Sequence, residues 1–244
     1  MKNIKIKIEY DGTNYFGWQV QKDRTTVEGT LEEAIASLTK EKIKLIGCSR
    51  TDTGVHAKAY VANFFTNSTV PSEKFREALN AKLPKDIVIL ESKEVSEDFH
   101  ARYKSKGKKY IYTIYNRKQP CAIYRNYMYS FSKELQLDKM EQACKYIVGT
   151  HDFSAFKTKG SSVKTSIRNI NELYINREEN IIKIAVSADG FLYNMVRIIV
   201  GTLLEVGTGK IEPEYVKKII DSKDRTKAGK VVPACGLCLE EVFY

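Results

Sequence analysis

At 244 residues the chain is long enough to bury one sizeable hydrophobic core, or two small ones, without disulfide or metal staples. Apolar residues at 43% and charged residues at 29% exclude an intrinsically disordered chain, and the longest apolar run, residues 198–204 (counting Gly201 and Thr202), falls far short of the roughly 20 residues a membrane-spanning helix needs. The net charge of +10 favours polyanionic partners, nucleic acid or an acidic membrane surface.

The chain begins Met1-Lys2-Asn3-Ile4-Lys5, where charges alternate with isoleucines; no apolar signal core is present, and a cytoplasmic protein is expected. From Ile4 to Glu9 apolar residues occupy every second position, which predicts a strand with one face buried. A helix follows: Thr25 and Glu28 have capping-box spacing, and Val27, Leu31, Ala34, Ile35 and Leu38 recur at helical intervals. Residues 44–48 and 60–65 read as strands flanking a polar, Gly-containing loop. A second helix opens after Pro71 with Ser72 as its cap, carries Phe75 and Leu79, and stops before Pro84; residues 87–94 are another strand. Beyond a polar stretch at 97–107, residues 110–115 are rich in β-branched and aromatic side chains and read as a strand. Asp138 is placed to cap a helix through Met140, Cys144, Ile147 and Val148, with Gly149 at its C-terminal end. Strands at 167–175 and 181–187 and a strongly apolar helix at 191–205 complete the pattern. Strand–helix–strand–strand–helix twice over predicts an α+β fold of two related halves, each a mixed or antiparallel sheet with helices on one face, divided into residues 1–104 and 105–244.

The positive charge is concentrated. From Arg102 to Lys118 there are Arg102, Lys104, Lys106, Lys108, Lys109, Arg117 and Lys118 and no acid, interleaved with Tyr103, Tyr110, Tyr112 and Tyr115. A second acid-free run holds Lys157, Lys159, Lys164 and Arg168. Cations neutralise phosphates and aromatic faces stack on bases, so the mixture suits RNA, with Lys108 and Arg168 as candidate contacts; a merely solvated strand is the alternative. Cys48, Cys121, Cys144, Cys235 and Cys238 are odd in number, so reduced thiols are expected. Cys235-Gly-Leu-Cys238 has the spacing of half a zinc site, but no second pair and no His-x₃₋₅-His accompanies it, so no metal is expected.

Two features could carry chemistry. Ser49-Arg50-Thr51-Asp52-Thr53-Gly54-Val55-His56-Ala57 is a compact polar loop between two strands, with Asp52 its only carboxylate. Asp52 suits either catalysis or a simple Asx turn. The apolar helix at 191–205 has a single basic residue, Arg197, which either pairs with a carboxylate or reaches out to solvent. Tyr193, Asn194 and Gly201 lie beside it as a narrow polar stripe on the same helix.

The loop SRTDTGVHA resembles the signature of the TruA family of tRNA pseudouridine synthases, written GRTDAGVHA. Supporting segments occur in family order: Tyr10-Asp-Gly-Thr-Asn-Tyr-Phe-Gly-Trp-Gln19, Lys109-Tyr110-Ile-Tyr112, His151-Asp-Phe-Ser-Ala-Phe156, Phe191-Leu-Tyr-Asn-Met-Val-Arg197-Ile-Ile-Val-Gly201, then Asp224-Arg-Thr226 and Gly236-Leu237. Ser49 and Thr53 depart from the signature, and Cys235 and Cys238 have no family role. The resemblance implies that Asp52 is the catalytic aspartate, that Arg197 pairs with it, that Tyr110 contacts the target base, and that Arg50 holds the nucleotide out of its stack. It also implies an active site in the cleft between the halves, a homodimer, and conversion of uridine to pseudouridine at positions 38, 39 or 40 of the tRNA anticodon stem-loop.

Such an isomerisation breaks the N1–C1′ bond, turns the uracil and rejoins it through C5. No group is gained or lost, so no cofactor is called for. Positive character at C1′ suits a nearby carboxylate, as in glycoside hydrolysis, and a cation beside that carboxylate keeps it ionised. Whether Asp52 attacks C1′, adds to C6 or removes a sugar proton stays open. Two rivals compete: a non-catalytic RNA-binding pair of RRM-like modules, for which Lys108 and Lys109 stand where small and aromatic residues belong, and a glycosidase acting on nucleic acid, which needs a second carboxylate near Asp52.

Overall fold

The computed structural model describes residues 1–158, 160 and 165–244; Lys159 and Lys164 of the second basic run lie outside the described residues. In chain order the elements are β1 (Lys2–Tyr10), α1 (Val27–Thr39), β2 (Ile46–Gly47), β3 (His56–Thr66), α2 (Phe75–Asn80), β4 (Ile87–Val95), β5 (Gly107–Asn116), β6 (Tyr129–Phe131), α3 (Leu137–Ile147), β7 (Gly149–Asp152), β8 (Ile167–Glu178), β9 (Ile181–Ala188), α4 (Met195–Gly207), α5 (Tyr215–Ser222) and β10 (Leu237–Phe243). The architecture is α+β, with mixed sheets. No helix of the described residues is long and apolar enough to cross a membrane. The chain forms two compact units, Met1–Lys106 with Cys238–Tyr244, and Gly107–Leu237.

In the first unit the strands run β4-β1-β3-β10, with β2 beside β3. β1 is antiparallel to both neighbours, whereas β10 joins β3 in parallel, setting Cys238 opposite His56 and Leu239 opposite Ala57. The alternation in β1 has the expected consequence: Ile4, Ile6 and Ile8 are fully buried, and on the same core Phe64 of β3 meets Phe75 of α2 edge-on at 5.4 Å. The opposite face is also partly covered. Asn3 donates to the carbonyls of Ser96 and Phe99, and the Lys5 ammonium lies over the Tyr244 and Phe99 rings at 4.7 and 5.3 Å. That burial, more than the neighbouring lysines, lowers the Lys5 pKa. The Tyr244 hydroxyl donates to the Ala101 carbonyl, tying the chain's end to the polar stretch after β4. A division at residue 104 leaves out this return of the chain, which depends on pairing between strands far apart in sequence.

Several local expectations shift. The cap of α1 is Thr26, whose hydroxyl accepts from the Gly29 N–H; Glu28 instead accepts from the Val20 N–H at 3.0 Å. Ser72 makes no cap bond, since its hydroxyl donates to Glu94 and the chain takes a 3-10 turn before α2. The strand expected at 44–48 shortens to two residues, because only Ile46 and Gly47 register with β3. β3 starts at His56 rather than residue 60 and so takes in the last two residues of the polar loop.

In the second unit the strands run β5-β9-β8-β7, antiparallel throughout, with β6 parallel to β5 on the far side. One face aligns Tyr110 with Val186 and Leu173, and Tyr112 with Ile184 and Ile175; α3 packs on β8, and α4 packs on α3. Asp138 lies inside the first turn of α3 without a cap bond to it, as the helix already begins at Leu137, and Gly149 opens β7 rather than closing the helix. The apolar helix begins at Met195, four residues later than expected. Asn194 sits at φ 61° and the preceding residues are not helical, so Tyr193 is not on α4. β6, β7, α5 and β10 have no counterpart in the predicted pattern.

Candidate active site

The polar loop is braced from four directions within the first unit. The Tyr10 hydroxyl shares a 2.8 Å hydrogen bond with the Thr51 hydroxyl, and the Trp18 backbone N–H donates to the Thr51 carbonyl at 3.1 Å. The Tyr60 hydroxyl donates to the Ser49 carbonyl in a short bond, and the Gly54 N–H reaches the Tyr15 carbonyl. Trp18 stacks on Tyr60 with centroids 3.9 Å apart, and Tyr10 packs against both rings. Within the loop, the Val55 N–H closes a turn onto the Asp52 carbonyl. The Asp52 residue is half-buried and Arg50 exposed. A turn held through its backbone leaves the side chain of its carboxylate to be aimed by the scaffold rather than by its own flexibility.

Gly17 shows how tightly the loop is held. Its φ is +80°, and a Cβ there would stand 2.5 Å from the Thr51 carbonyl oxygen. Gly17→Ala is therefore expected to destabilise the protein by more than about 1 kcal/mol and to displace the loop. A thermal melt checks the first effect and turnover the second; an unchanged melting temperature would contradict the close approach. Further along, the buried His56 ring accepts from the Gly12 N–H and lies 3.1 Å from Asp11, fixing the start of β3. Tyr15 donates to Asp86 at 2.6 Å, and burial together with that bond raises its pKa.

The second unit gathers Lys108, Tyr110 and Arg168 at one end of its sheet. Register places Lys108 opposite Ala188, Tyr110 opposite Val186, and Ile170 opposite Ala188, so the starts of β5 and β8 meet the end of β9. The Tyr110 residue is 6% exposed, its ring edge-on to Phe191 at 5.1 Å. Arg168 is half-buried, packs beside Gly190 and donates to the Thr165 carbonyl. The basic strand does not form one stripe: Lys108 shares the Tyr110 face and is only 8% exposed, while Lys109 faces the other way, over the Tyr174 ring at 5.4 Å.

Arg197 is half-buried in the first turn of α4. Its Nε donates to the Val232 carbonyl at 2.7 Å and its Nη1 to the Asn194 Oδ1 at 2.8 Å. Asn194 is held in turn, donating to the Thr158 hydroxyl at 3.0 Å. Val232 can reach the helix because Gly201 lets the chain at Lys230 approach; a Cβ on Gly201 would stand 1.9 Å from the Lys230 carbonyl oxygen. Tyr112 donates to the adjacent Pro233 carbonyl at 2.8 Å; burial raises its pKa, and the nearby Arg197 charge only partly opposes that. Burial likewise raises the Cys235 thiol, while Cys238 is pushed up to about 12, so both favour the protonated, unreactive form. All five cysteines are free, and among the described residues no cluster of three or more His, Cys, Asp or Glu could hold a metal.

Arg50 and Asp52 thus share one loop of the first unit; Lys108, Tyr110 and Arg168 share one end of the second unit's sheet, and Arg197 stands on α4 of that unit. Sequence reasoning missed the parts that hold them. Tyr10, Gly17, Trp18 and Tyr60 brace the loop, and Asn194 and the Val232 carbonyl orient Arg197. The signal for Tyr10, Gly17 and Trp18 was present in the aromatic- and glycine-containing stretch from Tyr10 to Gln19, which carried no chemistry of its own; Tyr60 had none beyond its place in a strand.

A family model described as "tRNA pseudouridine synthase" matches residues 6–104 and 143–244, a span that includes Arg50, Asp52, Arg168 and Arg197 but not Lys108 or Tyr110. The chain is similar over its whole length, and over the whole of theirs, to "tRNA pseudouridine synthase A 2" of Clostridium perfringens (62% identical). Similarity of the same extent links it to "tRNA pseudouridine synthase A" of Clostridium acetobutylicum (60%) and of Acetivibrio thermocellus (57%). The chain belongs to the tRNA pseudouridine synthase family.

Proposed function

We propose that this chain isomerises uridine to pseudouridine at positions 38, 39 and/or 40 of the tRNA anticodon stem-loop. Asp52 is the catalytic carboxylate and Arg197 its cationic partner on the same nucleotide. Tyr110 lies against the target uracil, and Arg50 stands in for the extruded nucleotide. Flipping a nucleotide out of a stem costs about a few kcal/mol, and a guanidinium filling the gap offsets part of it. Arg168 and the exposed cations of the basic segment take phosphates; Lys108, being largely buried, contributes its charge at short range beside Tyr110 rather than on the outer surface. The enzyme uses no cofactor, works as a homodimer and resides in the cytoplasm.

The observation that carries this proposal is the loop at 49–55: a half-buried aspartate on a turn whose backbone is bonded to Tyr15, Trp18 and Tyr60 and whose Thr51 hydroxyl is bonded to Tyr10, in a chain of this family. That degree of fixation suits a group that must meet one atom of an extruded nucleotide. Incubation with an unmodified tRNA transcript, digestion and nucleoside chromatography should show pseudouridine, and a chemical-stop map should place it at 38–40. Binding without product after long incubation would favour the RNA-binding module instead, and release of free uracil the glycosidase.

A further inference from the structure

We infer that the exposed loop between β5 and β6, residues 117–128, is a docking surface for an unpaired stretch of the tRNA substrate, away from the reacting nucleotide. The inference rests on the function proposed above and names a surface which that function does not assign, in a segment outside the family match. The loop is built rather than slack. Arg117 lies over the Tyr115 ring at 4.6 Å and donates to the Gln119 carbonyl; the Cys121 N–H donates to the Ser130 hydroxyl; the Tyr127 and Met128 N–H groups both reach the Tyr124 carbonyl. Yet this ordered turn leaves Ile123 80%, Tyr124 51% and Tyr127 48% exposed, with Lys118 and Arg125 exposed alongside.

Large apolar side chains held in solvent by an ordered loop mark an interaction surface. The charge pattern decides what fits it. From Arg102 to Lys133 the sequence has nine basic residues and no acidic one, so the surface suits a polyanion. Half-exposed tyrosines between cations are the elements that stack on unpaired bases while the flanking phosphates are neutralised. A second copy of the chain fits less well, because a two-fold contact here would bring together two copies of a segment that carries basic and no acidic residues.

The test compares wild type with Tyr124→Ala/Tyr127→Ala, Tyr124→Phe/Tyr127→Phe and Lys118→Gln/Arg125→Gln, reading tRNA affinity by fluorescence anisotropy across salt concentrations, together with kcat, KM and oligomeric state. Loss of both rings should weaken tRNA binding and raise KM by about tenfold or more with kcat at saturation unchanged, and the phenylalanine pair should retain affinity. The charge pair should lower the salt dependence of binding by about one for each phosphate that is no longer neutralised. Wild-type affinity and salt slope in all three variants would overturn the inference, as would a change in oligomeric state that alone accounts for the loss. A thermal melt matching wild type confirms that the variants are folded. Turnover by the wild type, measured in the same series, reports separately on the proposed function.

Discussion

Asp52→Asn is expected to lower pseudouridine formation by at least about 10³-fold while leaving tRNA affinity nearly unchanged. The substitution keeps the size and planarity of the side chain and removes only its charge and basicity. The loop should survive it, because the contacts through the Thr51 hydroxyl, the Thr51 and Ser49 carbonyls and the Gly54 N–H are left in place by the substitution. Each proposed role for Asp52 needs the anion: attack on C1′, addition to C6 and removal of a sugar proton all fail with an amide. Asp52→Ala should behave alike. Retained turnover in the asparagine variant, in single-turnover assays with excess enzyme, would remove Asp52 from the chemistry.

Arg197→Lys is expected to cost about 10²-fold in kcat with a much smaller change in tRNA affinity. The guanidinium already spends Nε on the Val232 carbonyl and Nη1 on Asn194, which fixes its plane relative to α4. An ammonium has neither the planar fork nor that reach, so it would settle on one of those acceptors and present its charge elsewhere. Asn194→Ala should give a smaller loss, since the bond to Val232 survives it. If Asp52 and Arg197 act on one nucleotide, the double variant Asp52→Asn/Arg197→Lys should be little worse than Asp52→Asn alone. Near-normal rates for Arg197→Lys, or full additivity in the double variant, would count against the pairing.

The parts of the molecule legible from sequence are those set by local periodicity. The Ile/Lys alternation of β1, the branched and aromatic run of β5 and the apolar spacing of α1 each express one buried face, and each element is found where that pattern places it. Boundaries failed where a tertiary contact outweighed a local signal. Glu28 had the spacing to close a capping box on Thr25, but its carboxylate serves the Val20 N–H. Asn194 adopts a left-handed conformation that delays α4, and there it can hold both Arg197 and Thr158. β10 was invisible because its two-residue parallel ladder with β3 joins positions some 180 residues apart, which no window of sequence reports.

The candidate site divides in the same way. Its charged members stood out because an acid in a polar turn and an arginine in an apolar helix are chemically conspicuous. Their supports did not, because a tyrosine hydroxyl on a threonine, or a backbone carbonyl on a guanidinium, has no sequence signature. Lys108 shows the converse: a lysine in a basic run reads as surface, whereas strand alternation turns it to the buried face beside Tyr110.

Formation of pseudouridine necessarily removes hydrogen from C5 of the uracil, so release of tritium from tRNA labelled at uridine C5 follows the isomerisation itself. Wild-type protein should release the label from positions 38–40, and Asp52→Asn, bound to the same tRNA with the same affinity, should release none above background. Equal release by the two proteins would contradict the assignment of the reaction to the carboxylate of the braced loop.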